Sequence, residues 1–143
     1  MQNIKVKKLN TNAKLPHKAT EHAAGYDLFS AEDVIIRPGE YLLVSTALSL
    51  EIPHGFEAQV RPRSGLAIKH GITVFNSPGT IDSDYRGEVK VILINHSQKA
   101  FTIEKHMRIA QLVFSQVIPV DLAEVNELAT TARGSGGFGS TGL

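Results

Sequence analysis

Apolar and polar residues alternate in short segments along the chain, with the period of a half-buried β-strand. Residues 48–52 and 56–61 alternate in this way, as expected when successive side chains point to opposite faces of a sheet. Other segments are richer in Val, Ile and aromatic residues, which is typical of strands covered on both faces. These segments are residues 34–36, 41–46, 72–75, 89–95 and 109–117. Because glycine or proline separates most of them, the pattern predicts an all-β sandwich or barrel.

One short segment predicts a helix. Residues 64–71 could form about two turns, with Ser64 as the N-cap and Gly71 at the C-terminal end. Such a helix would direct backbone N–H groups and the positive end of its dipole towards Arg63 and Ser64. Residues 121–128 stay ambiguous, because their apolar spacing fits a helix while their length also suits an edge strand.

The size of the chain favours a single domain. It has 143 residues, of which 42% are hydrophobic, and this is enough for one core but not for two. Residues 133–142 differ from the rest, because they hold five of the twelve glycines and one aromatic side chain. They cannot offset their backbone entropy by burial. We therefore expect a β domain over residues 1–132 and a flexible glycine-rich tail over residues 133–143.

Charge and cysteine content exclude several classes of protein. The net charge of +1 is too small for a protein that coats nucleic acid, so any bound anion must be held locally. Without cysteine, the chain has neither disulfides nor thiolate metal sites. No apolar stretch has the length of a signal-peptide core or a membrane span. We expect a cytoplasmic protein with no membrane or nucleic-acid partner.

An acidic loop over residues 79–88 carries the first candidate chemistry. Asp82 and Asp84 lie two residues apart beside Tyr85. In an extended chain they would share one face and could point together at a metal or a water molecule. The alternative is an ordinary hairpin turn, in which Asp and Gly supply local hydrogen bonds and positive φ. Spacing alone favours the turn.

Two further segments could bind an anion. Arg61, Arg63 and Ser64 precede or begin the predicted helix, where guanidinium groups, a hydroxyl and helix amides could hold a phosphate. A capped helix with solvated arginines explains the same residues equally well. In the tail, Arg133 and glycine N–H groups could wrap a polyphosphate while Phe138 stacks on a base. A frayed terminus is the simpler interpretation of the tail.

Five segments, taken together and in order, resemble the five motifs of the trimeric dUTPase family. They are AGYDL at residues 24–28, PRSGLA at 62–67, GTIDSDYRG at 79–87, RIAQLVF at 108–114 and RGSGGFGSTG at 133–142. Each motif alone is weakly specific. Five in order, within a chain of the family's usual size, make a chance match improbable.

The resemblance implies a fold, an assembly and a reaction. The fold is a jelly-roll-like β subunit, and the assembly is a homotrimer with active sites at the subunit boundaries. The reaction is Mg²⁺-assisted attack of water on the α-phosphate of dUTP, which yields dUMP and pyrophosphate. Such an activity keeps uracil out of DNA and supplies dUMP for thymidylate synthesis.

The resemblance also implies roles for individual residues. Asp82 would orient and deprotonate the attacking water, and Tyr85 would lie beneath the deoxyribose and leave no space for a 2′-hydroxyl. Asp27 would help to hold Mg²⁺ through water. The other binding residues fall into three sets. Uracil would be recognised by Asn76, Gly79, Thr80 and Ile81, and the phosphates would be bound by Arg63, Ser64, Gly65 and Gln111. The tail that closes the site would contribute Arg133, Phe138, Gly139, Ser140 and Thr141.

Two other functions stay open at this point. A dCTP deaminase shares the fold and binds a triphosphate, but its chemistry takes place at the base. A catalytically silent relative would bind nucleotide, or a protein partner, as a regulator. The presence of Asp82 and of the tail argues against the regulator, because a protein that only binds needs no water-activating carboxylate.

Overall fold

The computed structural model describes residues 3–140, which form ten strands and one short helix. In chain order the elements are β1 (Lys5–Lys8), β2 (Tyr26–Phe29), β3 (Val34–Ile36), β4 (Tyr41–Glu51), β5 (Phe56–Arg61), α1 (Ser64–His70), β6 (Ile72–Val74), β7 (Gly79–Ile81), β8 (Glu88–Asn95), β9 (Phe101–Ile103) and β10 (Arg108–Gln116). No helix in this range is long and apolar enough to cross a membrane.

Two four-stranded antiparallel sheets form the body of the protein. One has the strand order β1-β4-β8-β6 and the other β2-β10-β5-β7, while β3 pairs separately with β9. Both large sheets contribute to one hydrophobic core, with Leu48 and Leu93 from the first and Leu28 and Leu112 from the second. Since neither sheet closes on itself, the all-β prediction is confirmed in its sandwich form.

Strand β4 joins two segments that the sequence pattern treats as separate. Its register on β8 shifts between Ser45, which pairs with Lys90, and Leu48, which pairs with Val89. The two residues between them form a bulge, and Ala47 there has a φ of 53°. Alanine is disfavoured in strands, so the pattern indicates a break where the structure continues the strand through a bulge.

The prediction that five segments are covered on both faces is wrong for part of their length. Ile35, Tyr41 and Leu43 are each more than half exposed, so β3 and β4 have one open face in the single chain. Valine, isoleucine and aromatic residues favour strands whether or not the second face is covered. The sequence pattern also missed β1, β2, β7 and β9, each of three or four residues.

The predicted helix is confirmed, but its predicted N-cap is wrong. Ser64 is the first residue of α1, and the N-cap is Arg63, whose backbone is extended and which makes no side-chain capping hydrogen bond. The backbone oxygen of Arg63 accepts from the N–H groups of Leu66 and Ala67 at 3.1 Å, so the helix begins one residue earlier than a serine cap requires. At the other end Gly71 closes the helix with a φ of 65°.

Residues 117–140 contain neither helix nor strand, so residues 121–128 adopt neither of the two structures that the sequence allowed. The apolar side chains of Ile118, Val120, Leu122 and Leu128 are mostly exposed. A folded monomer normally buries side chains of this kind or keeps them for an interface.

Candidate active site

The acidic loop connects the two large sheets. Its first three residues form β7 of the second sheet, its last residue begins β8 of the first, and residues 82–87 form the turn between them. Within it, Tyr85 N donates to Asp82 O over 3.2 Å, and Arg86 Nη1 donates to Ser83 O over 2.6 Å. The loop is therefore a hydrogen-bonded turn, and this turn holds the Asp82 side chain in an exposed position.

A cavity of about 500 Å³ opens beside this turn. Asn76, Thr80, Ile81, Asp82 and Tyr85 line one part of it. Residues of the first sheet complete the lining, namely Leu43, Glu88, Val89, Lys90 and Ile92. The structure thus brings together five residues to which the sequence assigns three different roles.

Asp82 also borders a second cavity, of about 570 Å³. Ser83, His54 and Phe56 line this cavity, and so do Val117 and Pro119 from the start of the C-terminal segment. The carboxylate therefore stands between two open spaces that water can enter.

The ring of Tyr85 is held from two directions. Its hydroxyl donates a hydrogen bond to the backbone oxygen of Glu88 over 2.9 Å. On the other side, a Cβ atom at Gly87 would lie 2.4 Å from the Tyr85 hydroxyl oxygen and 2.5 Å from its Cζ. The ring therefore rests directly on the glycine backbone, and any larger residue at position 87 would displace it.

The hairpin that leads into β7 is also closely packed, though less tightly than Gly87. A Cβ atom at Gly79 would approach Asn76 Nδ2 to 3.3 Å and Val60 Cβ to 3.4 Å. Gly79 is buried and pairs with Val60 in the ladder between β7 and β5. Glycine at this position lets Asn76 pack against the first residue of β7.

A second group of candidate residues centres on Asp27, on β2. One carboxylate oxygen lies 3.3 Å from Arg63 Nε, and the other accepts from Arg108 Nη1 over 3.2 Å. The Asp27 side chain is 12% exposed. Arg63 Nη1 also donates to the backbone oxygen of Arg108 over 3.3 Å. The carboxylate thus holds two guanidinium groups side by side next to the start of α1.

Gln111 links β10 to the same region. Its Nε2 donates to the backbone oxygen of Pro62 over 3.0 Å, and its Oε1 occupies the space where a Cβ at Gly25 would lie, 2.1 Å away. Ser64 and Gly65 follow Pro62 closely and are exposed. Donor groups from β10 and from the segment before α1 therefore meet at one surface.

The tail residues are not brought to either group. Arg133 Nε donates to Gly136 O over 2.8 Å, and Ser140 N donates to Gly137 O over 3.0 Å, so the described part of the tail bonds to itself. Phe138 is fully exposed, and Gly139 follows it with a φ of 88°. Thr141 lies outside the described residues.

No group of three or more His, Asp or Glu side chains within residues 3–140 is placed to hold a metal ion. The carboxylate of Asp27 already faces two arginines. A metal at this site would therefore need most of its ligands from a bound substrate and from water.

Sequence reasoning missed two polar residues of these groups. Arg108 lies in a motif that the sequence singled out, but it received no role because its contact with Asp27 spans 81 positions. Glu88 is the last residue of the acidic loop and the first residue of β8, a position where a charged side chain is common. Its side chain contacts the bulge of β4, and neither residue pattern nor spacing indicates that contact.

Comparison with known proteins gives a consistent result. The family model described as dUTPase matches residues 11–142. The deoxyuridine 5′-triphosphate nucleotidohydrolase of Nautilia profundicola is 62% identical over 139 residues, covering 97% of this chain and 98% of the relative. The enzyme of the same description from Clostridium acetobutylicum is 57% identical over 143 residues, covering 100% of this chain and 99% of the relative.

Solved structures are similar over 90% or more of the chain. A mutant dUTPase of Staphylococcus bacteriophage 80alpha, solved with dUpNHpp, has a TM-score of 0.93 at 29% identity and covers 100% of both chains. A mutant dUTPase from phage phi11 of S. aureus has a TM-score of 0.84 at 24% identity, covers 90% of this chain and 100% of its own, and is described as coordinating a structural Mg(II) ion.

Proposed function

This chain belongs to the dUTPase family, and its activity is the hydrolysis of dUTP to dUMP. We propose that Asp82 is the general base of this hydrolysis. The observation that carries the proposal is the cavity in which Asp82 lies beside Asn76 and Tyr85. Attack of water on a phosphate requires no covalent bond to the protein, which acts mainly by positioning the reactants and stabilising charge. One carboxylate with access to water is enough to orient that water and take its proton as the oxygen attacks the α-phosphorus and pyrophosphate leaves.

The backbone of β7 is the proposed uracil reader, together with Asn76. Strand β7 is the last strand of its sheet and pairs with β5 along one edge. Its other edge presents alternating N–H and C=O groups. Uracil offers an N–H between two carbonyl groups, which is complementary to such an edge. Asn76, which packs on Gly79, is proposed to contact the base and to exclude the methyl group of thymine.

Tyr85 is the proposed platform for the sugar. Its ring lines the cavity next to Asp82. The ring cannot move away from the cavity, because it packs on Gly87 and its hydroxyl donates to Glu88 O. A ribose 2′-hydroxyl would have to displace this ring. The fixed ring therefore favours deoxyribose over ribose.

Arg63, Ser64, Gly65 and Gln111 form the proposed phosphate-binding group. Guanidinium, hydroxyl, amide and backbone N–H donors meet at the surface next to α1, and such donors hold phosphate oxygens well. Asp27 lies between Arg63 and Arg108. It keeps the two guanidinium groups at a fixed spacing, so their geometry is set before substrate arrives.

The residues present fit a Mg²⁺ ion that arrives with the substrate. Mg²⁺ retains several waters and is commonly bound by substrate phosphates with one or two carboxylates, which agrees with the lack of a carboxylate cage in residues 3–140. Asp27 would hold the ion through water, since its own oxygens face arginines. When bound, Mg²⁺ would neutralise charge on the phosphate oxygens.

We further propose that the protein is a homotrimer with active sites at the subunit boundaries. Within the described residues, no hydrogen bond or ion pair joins the group around Asp27 to the group around Asp82. The C-terminal segment exposes apolar side chains such as Ile118 and Leu122. A neighbouring subunit would cover these side chains and could supply the second half of each site.

The tail over residues 133–143, which we treat as part of the same domain, is proposed to close the site. Phe138 is fully exposed and Arg133 carries a positive charge, so the segment offers a ring for stacking and a donor for phosphate. Gly139, Ser140 and Thr141 add backbone and hydroxyl donors. Closure over bound dUTP would exclude bulk water from the phosphates.

Measurement of pyrophosphate release with Mg²⁺ and one nucleoside triphosphate at a time tests this function. We expect release from dUTP and much slower release from dCTP, dTTP and UTP. Conversion of dCTP to dUTP without pyrophosphate would instead identify a deaminase. Tight binding of dUTP without turnover would identify a regulator.

A further inference from the structure

The bulge in β4 leaves a buried backbone N–H without a partner in the sheet ladder. Ser45 pairs with Lys90 and Leu48 with Val89, so Ala47 has no residue opposite it on β8. Ala47 is buried and adopts a left-handed conformation, with a φ of 53°. A buried N–H without a partner is costly, so a native structure must satisfy it by other means.

Ser45 Oγ accepts from this N–H over 3.2 Å, and the side chain of Glu88 provides a closer acceptor. Its Oε1 accepts from Ala47 N over 2.9 Å and from the hydroxyl of Ser45, and its Oε2 lies 3.5 Å from Lys90 Nζ. Burial acts to raise the pKa of the Glu88 carboxyl, but the hydrogen bonds from Ser45 and Ala47 and the nearby Lys90 outweigh it and lower that pKa. The carboxylate is therefore held in its charged form against the bulge.

The backbone of the same residue holds Tyr85. The Tyr85 hydroxyl donates to Glu88 O over 2.9 Å, and the side chains of both residues line the cavity that contains Asp82. Glu88 is also the first residue of β8. Whatever fixes Glu88 against β4 therefore fixes the acceptor that orients the Tyr85 ring.

We propose that Glu88 is a positioning residue for sugar selectivity, which acts by bonding the β4 bulge and so holding Tyr85 at the deoxyribose. This inference rests on the proposed role of Tyr85 as the sugar platform. Loss of the Glu88 carboxylate removes the 2.9 Å bond from Ala47 N–H and leaves only the longer 3.2 Å bond to the Ser45 hydroxyl, so the start of β8 and the Tyr85 hydroxyl bond should shift. Displacements of about 1 Å in a site are enough to change rates about a hundredfold.

The test compares kcat/KM for dUTP and UTP in four proteins. The wild-type protein should favour dUTP strongly. Glu88→Ala should lower the dUTP-to-UTP ratio by about tenfold or more, mainly in kcat for dUTP, since the reacting geometry is disturbed. Glu88→Gln should retain the ratio within about threefold, because its amide oxygen still accepts from Ala47 and Ser45. Glu51→Ala removes another carboxylate, which is paired with Lys5 at 2.7 Å, and should leave the ratio unchanged.

The outcomes separate this inference from the proposed function. If the wild-type protein hydrolyses dUTP and UTP equally, the role of Tyr85 is wrong. If the wild-type protein discriminates and folded Glu88→Ala discriminates equally well, the inference about Glu88 is wrong. If Glu88→Ala does not fold, Glu88→Asp decides, because it keeps the charge but is one methylene too short to reach Ala47 N–H. An unchanged ratio in Glu88→Asp would then overturn the inference, and a lowered ratio would support it.

Discussion

Asp82 and Asp84 are close in sequence, but they differ in what surrounds their side chains. Asp82 borders the cavity that also holds Asn76 and Tyr85, and it borders the second cavity as well. Its backbone oxygen accepts from Tyr85 N in the turn, so the residue cannot shift without moving Tyr85. The position of the Asp82 carboxylate, rather than the acidity of the loop, is what makes it the proposed base.

Substitution Asp82→Asn should abolish most turnover while leaving the fold and dUTP binding intact. Asparagine has nearly the same size and hydrogen-bonding capacity but cannot take a proton from water. We expect kcat to fall by about 10²–10⁴, with a much smaller change in the Kd for dUTP measured by calorimetry. Asp84→Asn is the matched control and should retain activity. If Asp84→Asn is inactive and Asp82→Asn is active, Asp84 is the general base and the proposed role of Asp82 is wrong.

Glu88 should also make the stability of the protein depend on pH in the acid range. Its pKa is lowered from 4.5 in the folded protein, so its contribution is fully present above pH 4.5 and is lost as pH falls through the folded pKa. Lys90, on the same strand, lies 3.5 Å from this carboxylate, and Ser45, which donates to Glu88, donates its backbone N–H to Glu32.

We therefore expect the Tm of the wild-type protein to fall more steeply below pH 4.5 than the Tm of Glu88→Gln, which has no carboxyl to titrate. The pKa of Glu51 is also lowered, mainly by its hydrogen bond to Lys5, and titration of Glu51 remains in the variant as a common background. If the Tm of the two proteins falls equally with pH below 4.5, the proposed contribution of the Glu88 carboxylate to stability is wrong.

At the scale of elements, the short helix α1 depends on how its last turn ends. Gly71 adopts the left-handed conformation and donates to Ala67 O over 3.0 Å. A Cβ atom there would lie 3.0 Å from Ser97 N and 3.2 Å from Ser97 Cβ. The helix end is thus packed directly against the turn that follows β8.

Gly71→Ala should lower the free energy of unfolding by more than the roughly 1–2 kcal/mol that the left-handed backbone alone costs. Gly55→Ala is the matched control, because Gly55 has a φ of 84° with nothing within 4 Å of an added Cβ. Urea denaturation should therefore rank Gly71→Ala below Gly55→Ala, and both below the wild-type protein. Equal stability of the two variants would mean that the contact with Ser97 is unimportant.

Local sequence patterns predict some of these elements and contacts but not others. The all-β class and the helix over residues 64–71 follow from local periodicity and from Gly71, and both are confirmed. The continuation of β4 through Ala47 does not follow, because the closer acceptor for the Ala47 N–H is Glu88, which lies 41 positions away. The cavity residues around Asp82 are close in sequence, so the motif could group them. The contact of Asp27 with Arg108 depends on the pairing of β2 with β10, and spacing does not predict it.

At the scale of the whole molecule, the two groups of site residues lie on different parts of the sandwich. Asp82 and Tyr85 lie on the turn between the large sheets, while Arg63 and Gln111 lie at the start of α1 and on β10. Polar contacts of the described residues do not join the groups. A single subunit with this arrangement is expected to need a neighbour before its two groups can act on one substrate.

Subunit mixing tests this account most directly. Asp82→Asn and Arg63→Ala should each be nearly inactive as pure proteins. Mixed trimers can be made by co-expressing the two variants with different affinity tags and purifying on both tags. If sites form between subunits, these trimers contain boundaries with both native groups. Each purified mixed trimer holds two copies of one variant and one of the other, so about one boundary in three joins the two native groups. We expect dUTP hydrolysis to recover towards that fraction of the wild-type kcat. Purified mixed trimers that stay as inactive as their parents would show that both groups act within one subunit, and would contradict the account.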